Sequence, residues 1–423
     1  MCSPEVSNFL ILVTFILGYI FIALEAVTHI NKATVALLMG VLCWFFQFEC
    51  HLSEHEKYLA SINLDLANIS QVVFFLLGAL AIVGIIQAHK GFQMISNAIQ
   101  IRSKRLLLWT VGVITFFLSA VLDNMTTTIV MVSLLTQLLD ASEERWLLGG
   151  GIIIAANAGG AWSPIGDVTT TMLWIGGQLS TLKMIYTLFL PSLACFVASF
   201  AFLSTQLSGE FKPRNIHLHQ EALEPFSEAV FFLGIGALIF VPIFKVLTGM
   251  PPYTGMLLGL SALWLFTDIA HRKQAGRDHL RVPQILQGLD FSGILFFLGI
   301  LLAVGALDAA GIMHKIALHL DHVFKRIEVV ATLIGIVSAI VDNVPLVAAS
   351  MSMYDLSRYG TDHPFWELIA YTTGTGGSLL IIGSAAGVVY MGLEKVSFGW
   401  YLKRISLAAL IGYFAGIAVY LAV

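Results

Sequence analysis

Ser119-Ala120-Val121-Leu122-Asp123-Asn124 lies in the middle of an apolar stretch, and Ser338-Ala339-Ile340-Val341-Asp342-Asn343 repeats it in the second half of the chain. Each surrounding stretch, 106–138 and 327–356, is apolar on both sides of its Asp-Asn pair. A carboxylate left bare in the middle of a single helix would be costly at membrane depth. Two short helices that enter and leave on one side and meet at a polar tip would shelter it, so both stretches read as re-entrant hairpins.

The repeat extends outward from the two tips. Downstream, Gly159-Gly160 and Ile165-Gly166 are echoed by Gly376-Gly377 and Ile382-Gly383, at nearly the same offset as the tips. Upstream, Phe75, Gly78 and Gly84 match Phe296, Gly299 and Gly305. Apolar spans read near 8–28, 33–49, 71–88, 147–178, 184–206, 229–248, 254–270, 291–308, 365–391 and 404–423. Each half then holds an odd number of spans, which forces the halves into opposite orientations as an inverted repeat. The expected fold is an all-α membrane protein. A first repeat covers 1–206, with its hairpin at 106–138 and a broken helix at 147–178. A cytoplasmic connector covers 207–228. A second repeat covers 229–423, with its hairpin at 327–356 and a broken helix at 365–391.

Composition agrees with a bilayer as the main solvent. Of 423 residues, 58% are hydrophobic and 11% charged, against about 25% charged in soluble domains. Lipid offers no partner for backbone N–H and C=O groups, so the spans must be helices. Sorting the 22 Lys and Arg residues by these spans puts 15 on one side and 7 on the other. The richer side is expected to be cytoplasmic, with both termini outside. A net charge of −4 carries no nucleic-acid signal, and four cysteines without a CxxC spacing imply neither a disulfide framework nor a metal cluster.

The polar groups that do not belong in lipid fall in four places. The first hairpin tip holds Ser119, Asp123, Asn124 and Thr126; the first broken helix holds Asn157, Asp167, Thr169 and Thr170 around two glycines and Ser163-Pro164. The second tip holds Ser338, Asp342 and Asn343, and the second broken helix runs from Thr372 through Ser378 to Gly383-Ser384. Unwound backbone exposes carbonyl oxygens, and with a carboxylate these make a cage suited to a hard cation such as Na⁺ or Li⁺. The halves are unequal, because Asp167 aligns with Ser384 and Asn157 with Gly374. The cation is therefore expected near Asp123, Asn157 and Asp167, with Asp342 supporting or joining proton exchange. No Lys or Arg occurs between Arg105 and Arg145, Arg145 and Lys183, or Arg358 and Lys395, so a multiply charged anion finds no fixed partner in these segments. A proton and a cation competing for one carboxylate would give exchange without a separate proton wire. No cofactor is expected beyond the transported ion.

The first tip and the segment Asn157-Ala158-Gly159-Gly160-Ala161-Trp162-Ser163-Pro164-Ile165-Gly166-Asp167-Val168-Thr169-Thr170 resemble those of NhaD-type sodium/proton antiporters, within the ion transporter superfamily. The resemblance implies Na⁺(Li⁺)/H⁺ exchange in a bacterial inner membrane, by a homodimer with an elevator-like motion. It also implies roles for Ser119, Asp123, Asn124, Asn157, Asp167, Thr169, Thr170, Ser338, Asn343 and Ser378. Pro345 and Thr373-Gly374-Thr375 match less closely, so second-half roles rest on fewer residues. An arsenite or related oxyacid exporter of the same superfamily is the alternative, although no cysteine lies in the four polar segments. An intramembrane hydrolase is remote, because no histidine occurs in the tips or broken-helix centres.

Overall fold

The computed structural model describes residues 4–23, 25–50, 55–94, 101, 103–140, 143–210, 224–272, 278–289 and 291–423. Most of the expected connector, at 211–223, lies outside the described residues. Helices dominate, and no β-strand forms among the described residues. Those of seven residues or more are, in the first half, α1 Pro4–Ala23, α2 Lys32–Cys50, α3 His55–Ala88, α4 Lys104–Ser119, α5 Asn124–Leu138, α6 Glu143–Gly160, α7 Val168–Ile175 and α8 Thr181–Thr205. In the second they are α9 Ser227–Thr248, α10 Pro252–His271, α11 Ser292–Ala309, α12 Ile312–Val323, α13 Ile327–Val337, α14 Asn343–Met353, α15 Pro364–Gly376, α16 Ala385–Glu394, α17 Phe398–Arg404 and α18 Ser406–Ala422.

Seven of these (α1, α2, α3 and α8 to α11) are long and apolar enough to cross a membrane, and α17 with α18 forms an eighth candidate bent by 53°. Leu38, Val41, Phe45, Phe232 and Leu265 stand exposed on these helices, as side chains facing lipid should. The remaining two expected spans, 147–178 and 365–391, are each two shorter helices, α6 with α7 and α15 with α16. Helix α3 starts well before the expected 71–88. Residues 55–70 contain neither Gly nor Pro, so nothing stops the helix short of His55. Its 34 residues extend about 50 Å at about 1.5 Å per residue. Helix α12 has no counterpart among the expected spans; it alternates Lys, His and Asp with apolar residues and packs on α11 and α14.

Both Asp-Asn stretches are helix–break–helix pairs, α4 with α5 and α13 with α14. A capping residue starts the helix after every break. Asp123 accepts from the Thr126 N–H at 2.7 Å and Asp167 from Thr169 N–H at 3.0 Å. Asp342 accepts from Val344 N–H at 3.4 Å and the Ser384 hydroxyl from Gly387 N–H at 3.3 Å. These four positions answer the orphan N–H groups that every helix start leaves behind.

Packing follows the repeat. Helix α4 lies on α6 as α13 lies on α15, and α5 lies on α16 as α14 lies on α7. The second helix of each Asp-Asn pair thus packs against the broken helix of the other half. The long helices α1 to α3 and α9 to α11 form a separate group, where α2 crosses α11 through Gly40 and Gly299. Arg145 at the start of α6 meets Glu394 at the end of α16 at 2.7 Å, with the glutamate buried, which ties the two broken helices at their outer ends.

Two glycines decide how closely hairpin and broken helix approach. A Cβ on Gly159 would sit 2.1 Å from the Phe116 carbonyl oxygen, and one on Gly376 would sit 2.0 Å from that of Gly335. Only hydrogen fits there, and Phe116 and Gly335 are themselves repeat partners. Gly159→Ala is therefore expected to cost about 1–3 kcal/mol or more through overpacking and to lower the thermal midpoint in detergent. Gly236→Ala, where nothing lies within 4 Å, should be neutral or stabilising, since Ala is the better helix former. Equal midpoints for the two variants would refute the close-packing account.

Candidate functional site

Asp167 is the last residue of the break between α6 and α7, and its side chain is 2% exposed. One oxygen, Oδ1, receives the Thr169 N–H. The other, Oδ2, accepts from Asn124 Nδ2 at 2.9 Å and from Asn343 Nδ2 at 3.4 Å. The two asparagines are repeat partners, one from each hairpin tip. The same Asn124 amide donates to Asn157 Oδ1 at 2.9 Å. Asn157 Nδ2 then donates to the Ser378 and Ser384 hydroxyls, at 2.8 and 3.0 Å. Six buried side chains from both tips and both broken helices thus form one hydrogen-bonded hub.

Hydroxyl groups hold the backbone around it. Ser119 donates to Ala156 O at 2.7 Å and Ser338 to Thr373 O at 3.2 Å, again as repeat partners. Thr170 donates to Asp167 O at 2.9 Å, and Ser163 to Ala120 O at 2.5 Å. The Tyr401 hydroxyl donates to Ser378 O at 2.8 Å. Each takes up a carbonyl near a break, where helical partners are missing. In the structure Ser119, Ser338 and Thr170 brace the main chain rather than joining the hub.

The hairpin carboxylates lie beside the hub. Asp123 is held by Thr126, whose hydroxyl donates to it at 2.6 Å. With Asn124, Thr126, Asp167 and Thr171 it lines a cavity of about 100 Å³ that Phe75, Val83 and Phe297 close with apolar surface. Asp342 is different, because Lys32 at the start of α2 donates to its Oδ2 at 3.3 Å. A larger cavity of about 690 Å³, lined by Asn68, Gln178, Asp308, His314, Asp355 and Arg358, lies toward the other end of α3.

Asn124, Asn157, Asp167, Asn343 and Ser378 come together. Ser384 joins them directly; its signal is its alignment with Asp167. Lys32 and Lys245 carry no such signal, since a lysine beside an apolar run looks like a loop charge. Lys245 reaches the Trp174 carbonyl at the end of α7 at 2.8 Å and sits over the Trp174 ring.

A polar hub enclosed by lipid-facing helices, with no continuous helix passing through it, is the construction of a membrane transport protein. The chain belongs to the citrate transporter family, whose model matches residues 19–374, and within that family it is a relative of sodium/proton antiporters. It is 52% identical to sodium/proton antiporter 1 of Arabidopsis thaliana over 96% of this chain and 71% of that protein. Sodium/proton antiporter 2 of the same plant is 49% identical, over 96% of this chain and 97% of that protein. The Na⁺/H⁺ antiporter NhaD of Alkalimonas amylolytica is 29% identical, over 99% and 91%.

Asn157 is the hub's crossing point. Asn157→Ala leaves Asn124, Ser378 and Ser384 short of a partner, at about 1 kcal/mol or more for each buried group left unsatisfied. The variant should unfold at a clearly lower temperature in detergent than the wild type. Asn157→Ala unfolding at the wild-type temperature would contradict the hub.

Proposed function

We propose that this chain exchanges Na⁺, or Li⁺, for H⁺ across the membrane by alternating access, with Asp167 as the carboxylate for which the two ions compete. The observation that carries the reading is the reception of one buried carboxylate by an asparagine from each hairpin tip, beside a cavity that Asp123 also lines. An isolated buried anion is expensive, so Asp167 needs a proton or a cation when it is cut off from water. Na⁺ favours the ionised carboxylate and excludes the proton; the proton does the reverse. Asn157, Ser378 and Ser384 add oxygens that suit a hard cation. The names of the relatives, antiporters in a plant and in bacteria, support the same exchange.

The two halves read as inverted repeats whose hairpins enter from opposite sides. The mirrored packing of α4 on α6 and α13 on α15, and of α5 on α16 and α14 on α7, supports this. Movement of the hairpins and broken helices against the long helices would open the hub to each side in turn. Asp123, Asn124, Asn157, Asp167 and Asn343 are the residues proposed to meet the ion; Ser119, Thr126, Thr169, Thr170 and Ser338 hold the breaks in shape. The charge sorting supports both termini outside; a bacterial inner membrane and a homodimer are part of the proposal. Citrate, named in the family's description, is a poor fit: the hub's one charged side chain is a carboxylate, and the nearby Lys32 ammonium is already engaged by Asp342.

Purified protein in liposomes carrying a pH-sensitive dye tests this. Na⁺ and Li⁺ should each collapse an imposed proton gradient, whereas arsenite and citrate should not. Asp167→Asn should abolish the response, and Asp123→Asn should weaken it. A full response from Asp167→Asn, or a response to arsenite or citrate alone, would refute the proposal.

A further inference from the structure

The repeat brings two equivalent carboxylates to the hairpin tips, but their surroundings differ. Asp123 faces Thr126 and the small cavity, and among the described residues no ammonium or guanidinium lies within ion-pair distance of it. Asp342 meets the Lys32 ammonium at 3.3 Å, with side chains 15% and 24% exposed. The same ammonium lies 4.4 Å from the centre of the Phe296 ring, a cation–π distance. Phe296 is the repeat partner of Phe75, which lines the Asp123 cavity. The equivalent carboxylate–aromatic setting therefore holds a covalently attached cation in one half and a cavity in the other.

The fold fixes the lysine there. Helix α2 crosses α11 where Gly299 has Ala36 against it, so the start of α2 passes over Phe296. The Lys32 backbone N–H is anchored by Glu25 Oε1 at 3.1 Å, and Asn31 caps the helix through Ala33 N–H at 2.8 Å. The corresponding helix of the second half, α10, is capped by Pro251 and starts Pro252-Tyr253-Thr254, with no cationic residue. Lys245, near that start, reaches the Trp174 carbonyl and not Asp123.

We propose that Lys32 is a resident cation that fills, at Asp342, the place an alkali ion would otherwise take, so that the chain holds one exchangeable alkali ion and not two. This rests on the exchange reading above and adds to it what sets the number of ions. An ammonium is a compact point charge comparable to a partly dehydrated alkali ion. Tethered to α2, it neutralises the second carboxylate without leaving. The lysine is a specificity-determining residue whose removal creates a vacancy.

Equilibrium binding of ²²Na⁺ to the purified full-length chain in detergent, counted per chain at saturation, tests this. The wild type should bind one ion, Lys32→Gln two, and Lys32→Arg one. The neutral pair Lys32→Gln with Asp342→Asn should return to one. A second ion is a gain that mere destabilisation cannot produce. Lys32→Gln binding one ion, with the wild-type melting temperature, overturns the inference and leaves the exchange reading intact. Should Lys32→Gln not fold, Asp342→Asn decides: one ion supports the inference, and none overturns it by making Asp342 a ligand. A wild-type chain that binds no sodium removes both the inference and the exchange reading.

Discussion

A bilayer gives the backbone nothing to bond to, so every interruption of helix inside it must be satisfied by protein. The breaks between α4 and α5, α6 and α7, α13 and α14, and α15 and α16 are such interruptions, and each serves another. The first break leaves the Ala120 carbonyl, which Ser163 takes up, and Ser119 in turn holds the carbonyl of Ala156. Gly159 and Gly376 let the paired backbones approach so closely that no side chain could intervene. Asp123, Asp167, Asp342 and Ser384 cap the helices that restart. The polar hub is the residue of this arrangement: where the breaks meet, their side chains have only each other.

That origin explains why the charge of the hub departs from the sequence repeat although the backbone contacts follow it. Backbone satisfaction is repeated faithfully, as Ser119 with Ala156 and Ser338 with Thr373 illustrate. Charge is not. Two carboxylates at corresponding places would repel one another, and the second half carries Ser384 where the first carries Asp167. A single carboxylate thus serves both asparagines. At the tips, where both carboxylates are kept, one is matched by Lys32. The backbone contacts follow the repeat and the charge departs from it.

Much of this could be read from the residues. A repeated Asp-Asn in an apolar setting marks a break, since a mid-helix carboxylate in lipid is so unfavourable, and the echoed glycine pairs mark the partner segments. Asn157 and Asp167 followed from the same logic. Three things stayed hidden. The extension of α3 back to His55 depends on the absence of a stop signal, which hydropathy does not record. The amphipathic α12 mixes charge with apolar residues along its length, so an apolar-run search passes over it. Lys32 and Lys245 act on partners far away in the chain, and a long flexible side chain at a helix end gives no hint of which way it reaches.

The exchange of partners between halves bears on how the chain is made. A ribosome delivers residues in order, and when the helices up to α8 have entered the membrane, Asn157 is already in place. Its amide is aimed at Ser378 and Ser384, which are then still far from being synthesised. Helix α5 likewise waits for α16, and α7 for α14. Neither half can reach its native packing alone. The Arg145–Glu394 pair and the packing of α18 on α8 likewise wait for the last part of the chain.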